Sequence, residues 1–346
     1  MTTTLKLPPL YCPFEPGIHA QVEVAEAWML RFCKRHKIGA GRLSEDDLRA
    51  MRIAEFVARA YPDVSIERLC IILDWTVWAF VADDRADFTS PEQLRVRYGE
   101  CLRTLRGTAP LSDRVAPLDE LRHRIVAASG ERCLQRFAKA VETWFDAMLW
   151  EVSNRAGHAA PSLAEYIEVR EFDVGMYTEF ALFDVTHATD QTDAIWDIAE
   201  VRTLMAATSN IIGWSNDIYS YLKESALKDP HNLVGLLAEH RGLSIPEALA
   251  EAAIMHNREV DRFVRIESRL VPRLADFPEA VRFTEMLRSW IRSNLDWSLR
   301  SARYETKGAK VVAARPSTDA YRVIPPGPAR GVVRRGRRAR PIEVRR

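Results

Sequence analysis

The sequence predicts an all-α fold. From about Ala20 to Tyr304, apolar residues recur at intervals of three and four, which places them on one face of an α-helix. Gly, Pro, Ser, Asp and Asn interrupt this pattern repeatedly, and no apolar–polar alternation is long enough to indicate a sheet. No internal repeat is present. These observations predict a single large bundle of about ten or more helices.

Four long helical patterns dominate the chain. In order they are ERLCIILDWTVWAFVADD, QRFAKAVETWFDAMLWEV, IWDIAEVRTLMAATSNIIGW and RFTEMLRSWIRSNLDWSLRSARY. Ser44 and Ser244 each precede an acidic residue by three positions, which predicts capping boxes at two further helix starts. Asp46 and Asp47 are therefore interpreted as capping residues and not as metal ligands.

The two ends of the chain differ from the middle. Residues 1–18 are rich in proline and lack a helical period, so we expect them to form an ordered or wrapping strap ahead of the 19–304 domain. Residues 305–346 contain 12 Lys or Arg and 3 Asp or Glu, and their composition predicts disorder. A basic tail can attract nucleic acid by charge alone. A solvated tail is the simpler interpretation, so no nucleic-acid partner is predicted.

Composition excludes several classes of protein. No apolar run reaches the roughly 18 residues of a membrane helix, and the N-terminus lacks the charged-then-apolar pattern of a secretion signal. The five cysteines are scattered without a CxxC spacing, which favours reduced thiols over disulfides or a zinc site. We therefore expect a cytoplasmic protein without a membrane span.

The segment DDRAD, residues 83–87, ends an apolar helical pattern with three aspartates. Asp83 and Asp87 lie four residues apart and share a helix face, where like charges repel. The helix dipole also disfavours anions at this end. Mg²⁺ prefers carboxylate oxygens, so the cluster suggests a metal site. Simple capping of the next helix is the alternative at this point.

A second stretch, NDIYSYLKE, places three oxygen-bearing side chains on one helix face. Asn216, Ser220 and Glu224 follow one another at intervals of four, and their Cα atoms span about 12 Å. Helix side chains lean toward the N-terminus, so a long Glu224 and a short Asn216 can bring their oxygens together near Ser220. A Mg²⁺ site is one interpretation and an ordinary polar helix face is the other. The apolar residues around the stretch favour the first.

DDRAD followed about 130 residues later by NDIYSYLKE resembles the bacterial class I terpene synthases. The first segment is similar to the aspartate-rich DDxxD motif of that family, and the second to its NDxxSxxKE motif at every specified position. The resemblance covers about residues 6–304 and includes the opening LPPLYCPF. It implies a class I terpenoid synthase-type helical bundle that encloses an apolar active-site cavity.

Further positions strengthen the resemblance. Arg170, located 46 residues before the Asn of the second motif, resembles the arginine that senses the substrate diphosphate. Asp173 resembles the family's linker position, Val174 resembles the effector whose carbonyl acts on the substrate, and Gly175 supplies a helix break. Arg303-Tyr304 resembles the pair that hydrogen-bonds the diphosphate.

The resemblance implies an enzyme, a carbon–oxygen lyase that ionises a linear isoprenyl diphosphate and cyclises the resulting cation. Three Mg²⁺ ions are expected. Their implied ligands are Asp83, Asp87, Asn216, Ser220 and Glu224. The groups implied to bind the diphosphate are Arg170, Lys223, Arg303 and Tyr304. A homodimer is compatible with the resemblance.

Such chemistry needs a dry cavity, since water would quench the cation, and aromatic faces would stabilise positive charge. The candidates lie one or two helical turns from the motifs. We expect the walls to include Phe80, Phe180, Trp290 and Trp297, although core packing is the alternative for each. By family likeness the substrate is farnesyl diphosphate, with geranyl and geranylgeranyl diphosphate as alternatives.

Two other functions fit the sequence less well. A prenyl diphosphate synthase needs two aspartate-rich motifs, and this chain has one. A non-catalytic helical protein with a nucleic-acid-binding tail would leave the spacing of both motifs unexplained. The product skeleton, and whether it is a hydrocarbon or an alcohol, cannot be derived from the sequence.

Overall fold

The structure is a computed structural model that describes residues 3–86, 88–108, 112, 115–157, 160–304, 309–312 and 315–318. Fourteen α-helices account for nearly all secondary structure in these ranges, which confirms the predicted all-α class. They are α1 (Val22–His36), α2 (Glu45–Ala50), α3 (Ile53–Ala60), α4 (Ile66–Ala86), α5 (Pro91–Leu105), α6 (Ala116–Ala156), α7 (Leu163–Asp173), α8 (Met176–Phe180), α9 (Phe183–His187), α10 (Thr192–Trp196), α11 (Ala199–Leu227), α12 (Leu233–Arg241), α13 (Ile245–Leu270) and α14 (Pro278–Ser298). Two 3₁₀ helices, Val271–Leu274 and Ala302–Tyr304, follow α13 and α14.

Local signals set several helix starts. Capping boxes open α2 at Ser44 and α13 at Ser244, as predicted, and a third opens α7 at Ser162. In the first of these the Asp47 carboxylate accepts a hydrogen bond from the Ser44 backbone N–H at 2.8 Å. The role of this aspartate in capping is therefore confirmed.

Four helices form most of the wall of a central cavity: α4, α6, α11 and α14. Helix α11 packs against α7, α12, α13 and α14, while α4 packs against α1, α3 and α6. The long helix α6 is kinked at Gly130, where the backbone φ is 78°. A residue with a side chain would adopt this conformation only with strain. Trp75 in α4 is fully buried, and its indole N–H donates to Thr178 at 2.9 Å. This arrangement fixes α4 against the short helix α8 on the far side of the cavity.

A segment near the N-terminus and a segment after α14 meet in a two-stranded parallel sheet. Strand β1 (Thr3–Lys6) pairs with strand β2 (Ala309–Val312), with Thr3 opposite Ala309. Beyond the sheet, an isolated bridge joins Tyr11 to Ser317. The N-terminal strap also docks on the bundle, because the Tyr11 N–H donates to the Asn257 side chain at 2.8 Å.

Disorder was predicted for all of residues 305–346, and this prediction is wrong for 309–312 and 315–318. Backbone hydrogen bonds order them, for example Leu7 N–H to Val312 O at 2.9 Å and Ser317 N–H to Leu10 O at 2.8 Å. The ordering partner lies about 300 residues earlier in the chain, so composition alone could not reveal it. Most of the basic tail lies outside the described residues.

No helix in the described ranges combines the length and apolarity needed to cross a bilayer. All five cysteines are free thiols and are buried.

Candidate active site

A cavity in the centre of the bundle collects most of the residues that the two motifs contribute. Its wall includes successive turns of α4, α11 and α14 and the junction between α7 and α8. Charged groups occupy the part of the wall near the C-terminal ends of α4 and α11. The lining residues used below are Phe56, Trp75, Thr76, Phe80, Asp83, Asp84, Trp144, Glu151, Arg170, Asp173, Val174, Gly175, Met176, Thr178, Glu179, Asn216, Ser220, Lys223, Glu224, Asp229, His231, Trp290, Trp297, Arg303 and Tyr304.

The first two aspartates of DDRAD, Asp83 and Asp84, lie in the last turn of α4 and face basic side chains. The Arg303 guanidinium donates to Asp84 Oδ2 at 2.7 Å and to Asp83 Oδ2 at 3.0 Å. Lys223 Nζ lies 3.7 Å from Asp84 Oδ1. Burial raises the pKa of Asp84, but the charges of Arg303 and Lys223 outweigh burial and lower it. Asp84 is therefore held as a carboxylate. Asp87, also predicted to bind metal, lies outside the described residues.

The second motif lies on the cavity face of α11, where Asn216, Ser220 and Glu224 all line the wall as their spacing predicts. The Asn232 side-chain amide donates to Glu224 Oε2 at 2.7 Å. Burial and the nearby charge of Asp217 raise the pKa of Glu224 to about 7. These two effects favour the protonated form of Glu224.

Arg170 lies beside this motif and is fixed by several acceptors. It donates to Asn216 Oδ1, to Asp217 Oδ1 and to Asp173 Oδ2, each at 2.8 Å. Burial disfavours its charge, but Asp217 and the other nearby groups keep the Arg170 pKa well above its ordinary value. The Arg170 guanidinium is therefore always charged, and its hydrogen bonds to residues of α11 and α7 fix its orientation.

Asp217 is a partner of Arg170 that the helical spacing did not reveal, because it lies one position away from the helix face that carries Asn216, Ser220 and Glu224. Its side chain is fully buried and accepts from Tyr166 at 2.7 Å and from the Leu233 backbone N–H at 3.0 Å, besides Arg170. The signal that could have found it is an acid within an apolar helical run, since such an acid needs a partner.

The segment after α14 closes the polar end of the site. Tyr304 Oη accepts a hydrogen bond from Asn216 Nδ2 at 2.8 Å, and the Tyr304 ring packs edge-on against Trp297. The adjacent Arg303 guanidinium lies 4.8 Å from the centre of the Phe80 ring. This pair thereby connects the motif on α4 with the motif on α11.

A helix break separates α7 from α8 at the cavity wall. Gly175 has a φ of 79°, a conformation that a residue with a side chain would adopt only with strain. The Trp144 indole N–H donates to the Asp173 carbonyl at 3.0 Å, and the Thr178 hydroxyl donates to the Gly175 carbonyl at 2.7 Å. Asp173, Val174 and Gly175 all line the cavity, as the resemblance implied.

Aromatic residues form the apolar part of the wall. Phe80, Trp290 and Trp297 line the cavity, as predicted. The polar edges of the two indoles are occupied elsewhere, because Trp290 donates to Tyr61 at 3.2 Å and Trp297 donates to the Met51 carbonyl at 2.8 Å. At these two positions the wall of the cavity is therefore apolar, because neither indole N–H is left without an acceptor.

The prediction that Phe180 lines the cavity is wrong. Its ring is fully buried between Tyr177 and Phe283 and is absent from the cavity wall. Helix α8 has only five residues, too few for a periodic pattern to show which side faces inward. The preceding residue, Glu179, faces the cavity instead.

A second polar cluster at the cavity wall was not predicted. Glu151, Asp229 and His231 bring ligand-type atoms within 4.8 Å of one another. Arg155 partly neutralises the cluster, with its guanidinium 2.5 Å from Glu151 and 3.4 Å from Asp229. These residues come from α6 and from the loop after α11, so sequence spacing could not relate them.

The oxygen-bearing side chains fit a hard divalent cation. The possible ligand atoms of Asp83, Asp84, Asn216, Ser220 and Glu224 are all oxygens, which is the ligand set that Mg²⁺ prefers. The Ser220 hydroxyl is buried without an ordinary hydrogen-bond partner among the described residues, and its polar neighbour is Glu224. A metal would also favour loss of the Glu224 proton, because a ligand carboxyl must be ionised.

An all-helical bundle whose cavity joins an aromatic wall to a carboxylate-rich and guanidinium-rich end defines the class I terpenoid synthases. The comparisons agree with this class. The family model described as terpene synthase family 2, C-terminal metal binding, matches residues 74–262. The germacrene A synthase of Nostoc punctiforme is 32% identical over 308 residues, covering 87% of this chain and 95% of that protein.

Two further comparisons extend the likeness. The farnesyl-diphosphate-cyclising (+)-T-muurolol synthase of Roseiflexus castenholzii is 31% identical, covering 85% of this chain and 93% of its own length. The crystal structure of the ancestral reconstruction SVS_A2 superposes with a TM-score of 0.76 at 27% identity, covering 88% of this chain and 94% of that one. The protein belongs to the bacterial class I terpene synthase family, and it is an enzyme of the lyase class.

Proposed function

We propose that the protein is a Mg²⁺-dependent cyclase that ionises farnesyl diphosphate, releases diphosphate and closes the cation to a sesquiterpene hydrocarbon or alcohol. The observation that carries this proposal is the convergence of Arg170, Lys223 and Arg303 beside carboxylates at one end of an aromatic cavity. The same chemistry on geranylgeranyl or geranyl diphosphate is the alternative.

The basic groups can bind the leaving diphosphate. Arg303 presents two N–H groups that now donate to Asp83 and Asp84, and this planar fork suits two phosphate oxygens equally well. Arg170 and Tyr304 both bond Asn216, so the three side chains are held together at the end of the cavity where we propose that the diphosphate binds. Negative charge that develops on the leaving group is stabilised by donors already directed at that place.

Asp83, Asp84, Asn216, Ser220 and Glu224 would hold the metal ions. When bound, Mg²⁺ neutralises charge on the diphosphate oxygens and so assists their departure. The chain supplies positioning: Asp217 fixes Arg170, Asn232 fixes Glu224, and Lys223 lies against Asp84. Three ions are proposed on the strength of the family resemblance.

The walls must protect the cation once it forms. Phe56 stacks on Trp297 with ring centres 4.7 Å apart, and it meets Trp290 edge-on at 5.0 Å. These rings exclude water and offer electron-rich faces to positive charge. Val174, next to the helix break at Gly175, lines the same cavity, and we propose that its backbone carbonyl dipole acts on the allylic carbons.

Farnesyl diphosphate is favoured by the relatives, since both the 4-epi-cubebol synthase of Streptosporangium roseum and the (+)-T-muurolol synthase carry farnesyl-diphosphate-cyclising names. The free thiols are compatible with the cytoplasmic location that we also propose. A homodimer stays a prediction, which light scattering on the purified chain would test.

Gas chromatography–mass spectrometry tests the proposed reaction directly. The purified protein is incubated with Mg²⁺ and, separately, with geranyl, farnesyl and geranylgeranyl diphosphate. We expect a cyclic product from farnesyl diphosphate that disappears with EDTA and returns with added Mg²⁺. A cyclic product from another chain length would correct the substrate. Absence of any product from folded protein would overturn the proposed function.

A matched pair of variants locates the reaction in the cavity. Asp84→Asn removes a carboxylate that pairs with Arg303 and Lys223, and we expect it to reduce diphosphate release by at least about 100-fold. Asp46→Asn, outside the cavity in α2, is the control and should retain wild-type rates.

A further inference from the structure

Glu179 is an acidic residue inside the cavity that the proposed mechanism does not use. It lies in α8 and is 6% exposed, and the neighbouring part of the wall consists of Trp75, Met176 and Thr178. Its Oε1 lies 3.0 Å from the Thr76 hydroxyl oxygen. Its Oε2 is buried without a hydrogen-bond partner among the described residues. A buried carboxyl oxygen without a partner is costly, which calls for an explanation.

The contacts of Thr76 indicate the protonation state of Glu179. The Thr76 hydroxyl has one hydrogen, but its oxygen lies near two acceptors: the Ile72 carbonyl at 2.8 Å and Glu179 Oε1 at 3.0 Å. A threonine inside a helix commonly donates to the carbonyl four residues earlier. With that hydrogen on the Ile72 carbonyl, a protonated Glu179 satisfies the second contact by donating its Oε1–H to the Thr76 oxygen.

The surroundings agree with a neutral carboxyl. Burial raises the pKa of Glu179 to about 8, against a smaller opposing effect of the Thr76 hydrogen bond. In the described residues no basic side chain forms an ion pair with it, whereas Asp83 and Asp84 at the other end of the cavity pair with Arg303.

We propose that Glu179 is a neutral acid that donates its Oε1–H to the Thr76 hydroxyl and presents Oε2 to the cavity as a fixed carbonyl dipole that stabilises a carbocation formed nearby. This inference rests on the proposed cyclase function. It involves no proton transfer and no new bond. The proton on Oε1 points to Thr76, so Oε2, which lacks a hydrogen-bond partner among the described residues, is the negative end of a dipole.

The neutral state matters for the reaction. A carboxylate beside a carbocation would remove a proton from it or form an ester with it, and either event ends the cyclisation. A carbonyl oxygen supports the charge with much weaker basicity and nucleophilicity. Because the dipole is already oriented and the cavity is apolar, stabilisation needs little reorganisation.

Two substitutions separate a dipole from a charge. Glu179→Gln keeps the geometry, since its amide can donate to Thr76 while its carbonyl oxygen faces the cavity. Glu179→Met keeps the approximate length but removes the dipole. Glu267→Gln is the control, because Glu267 is also buried but pairs with Arg288 away from the cavity.

Two quantities are measured for each variant: the distribution of products formed from farnesyl diphosphate, and the rate of diphosphate release. We expect Glu179→Gln and the control to keep the wild-type main product. In Glu179→Met the share of that product should fall about tenfold, in favour of acyclic or monocyclic products, while diphosphate release continues. Loss of the main product in both Glu179 variants would overturn the dipole in favour of a charged role. A wild-type profile in Glu179→Met would overturn any role in the cascade.

An infrared measurement tests the protonation state independently of turnover. The difference spectrum of wild type minus Glu179→Gln at about pH 6 should contain the C=O stretch of a protonated carboxyl. A carboxylate band in its place would overturn the inference even if the variant is inactive. If the wild-type protein shows the protonated band but releases no diphosphate, Glu179 is still a neutral acid. The cyclase proposal would then be refuted, and with it the catalytic role of Glu179.

Discussion

Substituting Glu179 by glutamine should change how the stability of the protein depends on pH. The pKa of Glu179 lies at about 8 in the folded protein, because burial disfavours the charged form, and near 4.5 in an unfolded chain. Below pH 4.5 the carboxyl is protonated in both states. Between 4.5 and about 8 the unfolded chain releases the proton while the folded protein keeps it, so rising pH favours unfolding. Glutamine has no proton to lose.

The size of the effect follows from this interval. One proton held by the folded state alone lowers the free energy of unfolding by about 1.4 kcal/mol per pH unit. Across the interval from 4.5 to about 8 the limit is ~5 kcal/mol, and relaxation of the cavity reduces it to roughly 3–5 kcal/mol. The stability of Glu179→Gln relative to wild type should therefore rise steadily with pH and become constant above about pH 8.

Urea unfolding of both proteins at about pH 5, 6, 7 and 8, followed by circular dichroism, measures this difference. Glu239→Gln is the control for loss of one carboxyl at an exposed position. It should stay parallel to wild type at every pH. Parallel curves for Glu179→Gln as well would mean that the folded protein does not hold this proton, and the reasoning would fail.

Three other substitutions test the site and its frame. Asp217→Asn leaves Arg170 buried without its main anion, so the free energy of unfolding should fall by about 3–5 kcal/mol; an unchanged urea midpoint would contradict this. Arg303→Lys loses the fork that spans both carboxylates, and kcat/KM for diphosphate release should fall roughly 10–100-fold, whereas equal values would show that charge alone suffices. Ser162→Ala removes the cap of α7 and should cost about 1 kcal/mol in thermal unfolding without changing the product, and a change in product would refute a purely local role.

The sequence predicted those parts of the site whose residues lie close together in the chain, at the spacing of one helix. The turns around Asn216, Ser220 and Glu224 follow a helical period, so their spacing alone predicted a common face. Asp217 was missed because its partners Tyr166 and Arg170 come from α7, and only the packing of two helices reveals what an off-stripe acid does.

The cavity wall illustrates the opposite case. Phe180 was predicted to line the cavity on the basis of its residue type, but the phase of the five-residue helix α8 places Glu179 inside. The start of this helix is set by Gly175 and by the contact of Thr178 with Trp75. Tertiary contacts, and not periodicity, decided which neighbour faced the substrate space.

The pairing of β1 with β2 ties together the first and last described segments of the chain. Only four residues separate Tyr304 from Ala309, so the Arg303-Tyr304 pair is tethered on one side by α14 and on the other by a strand that the N-terminus holds. A deletion that removes Thr3–Lys6 would release that second tether. A truncation at the N-terminus would therefore disturb the Arg303-Tyr304 pair, although the removed residues lie about 300 positions away in the sequence.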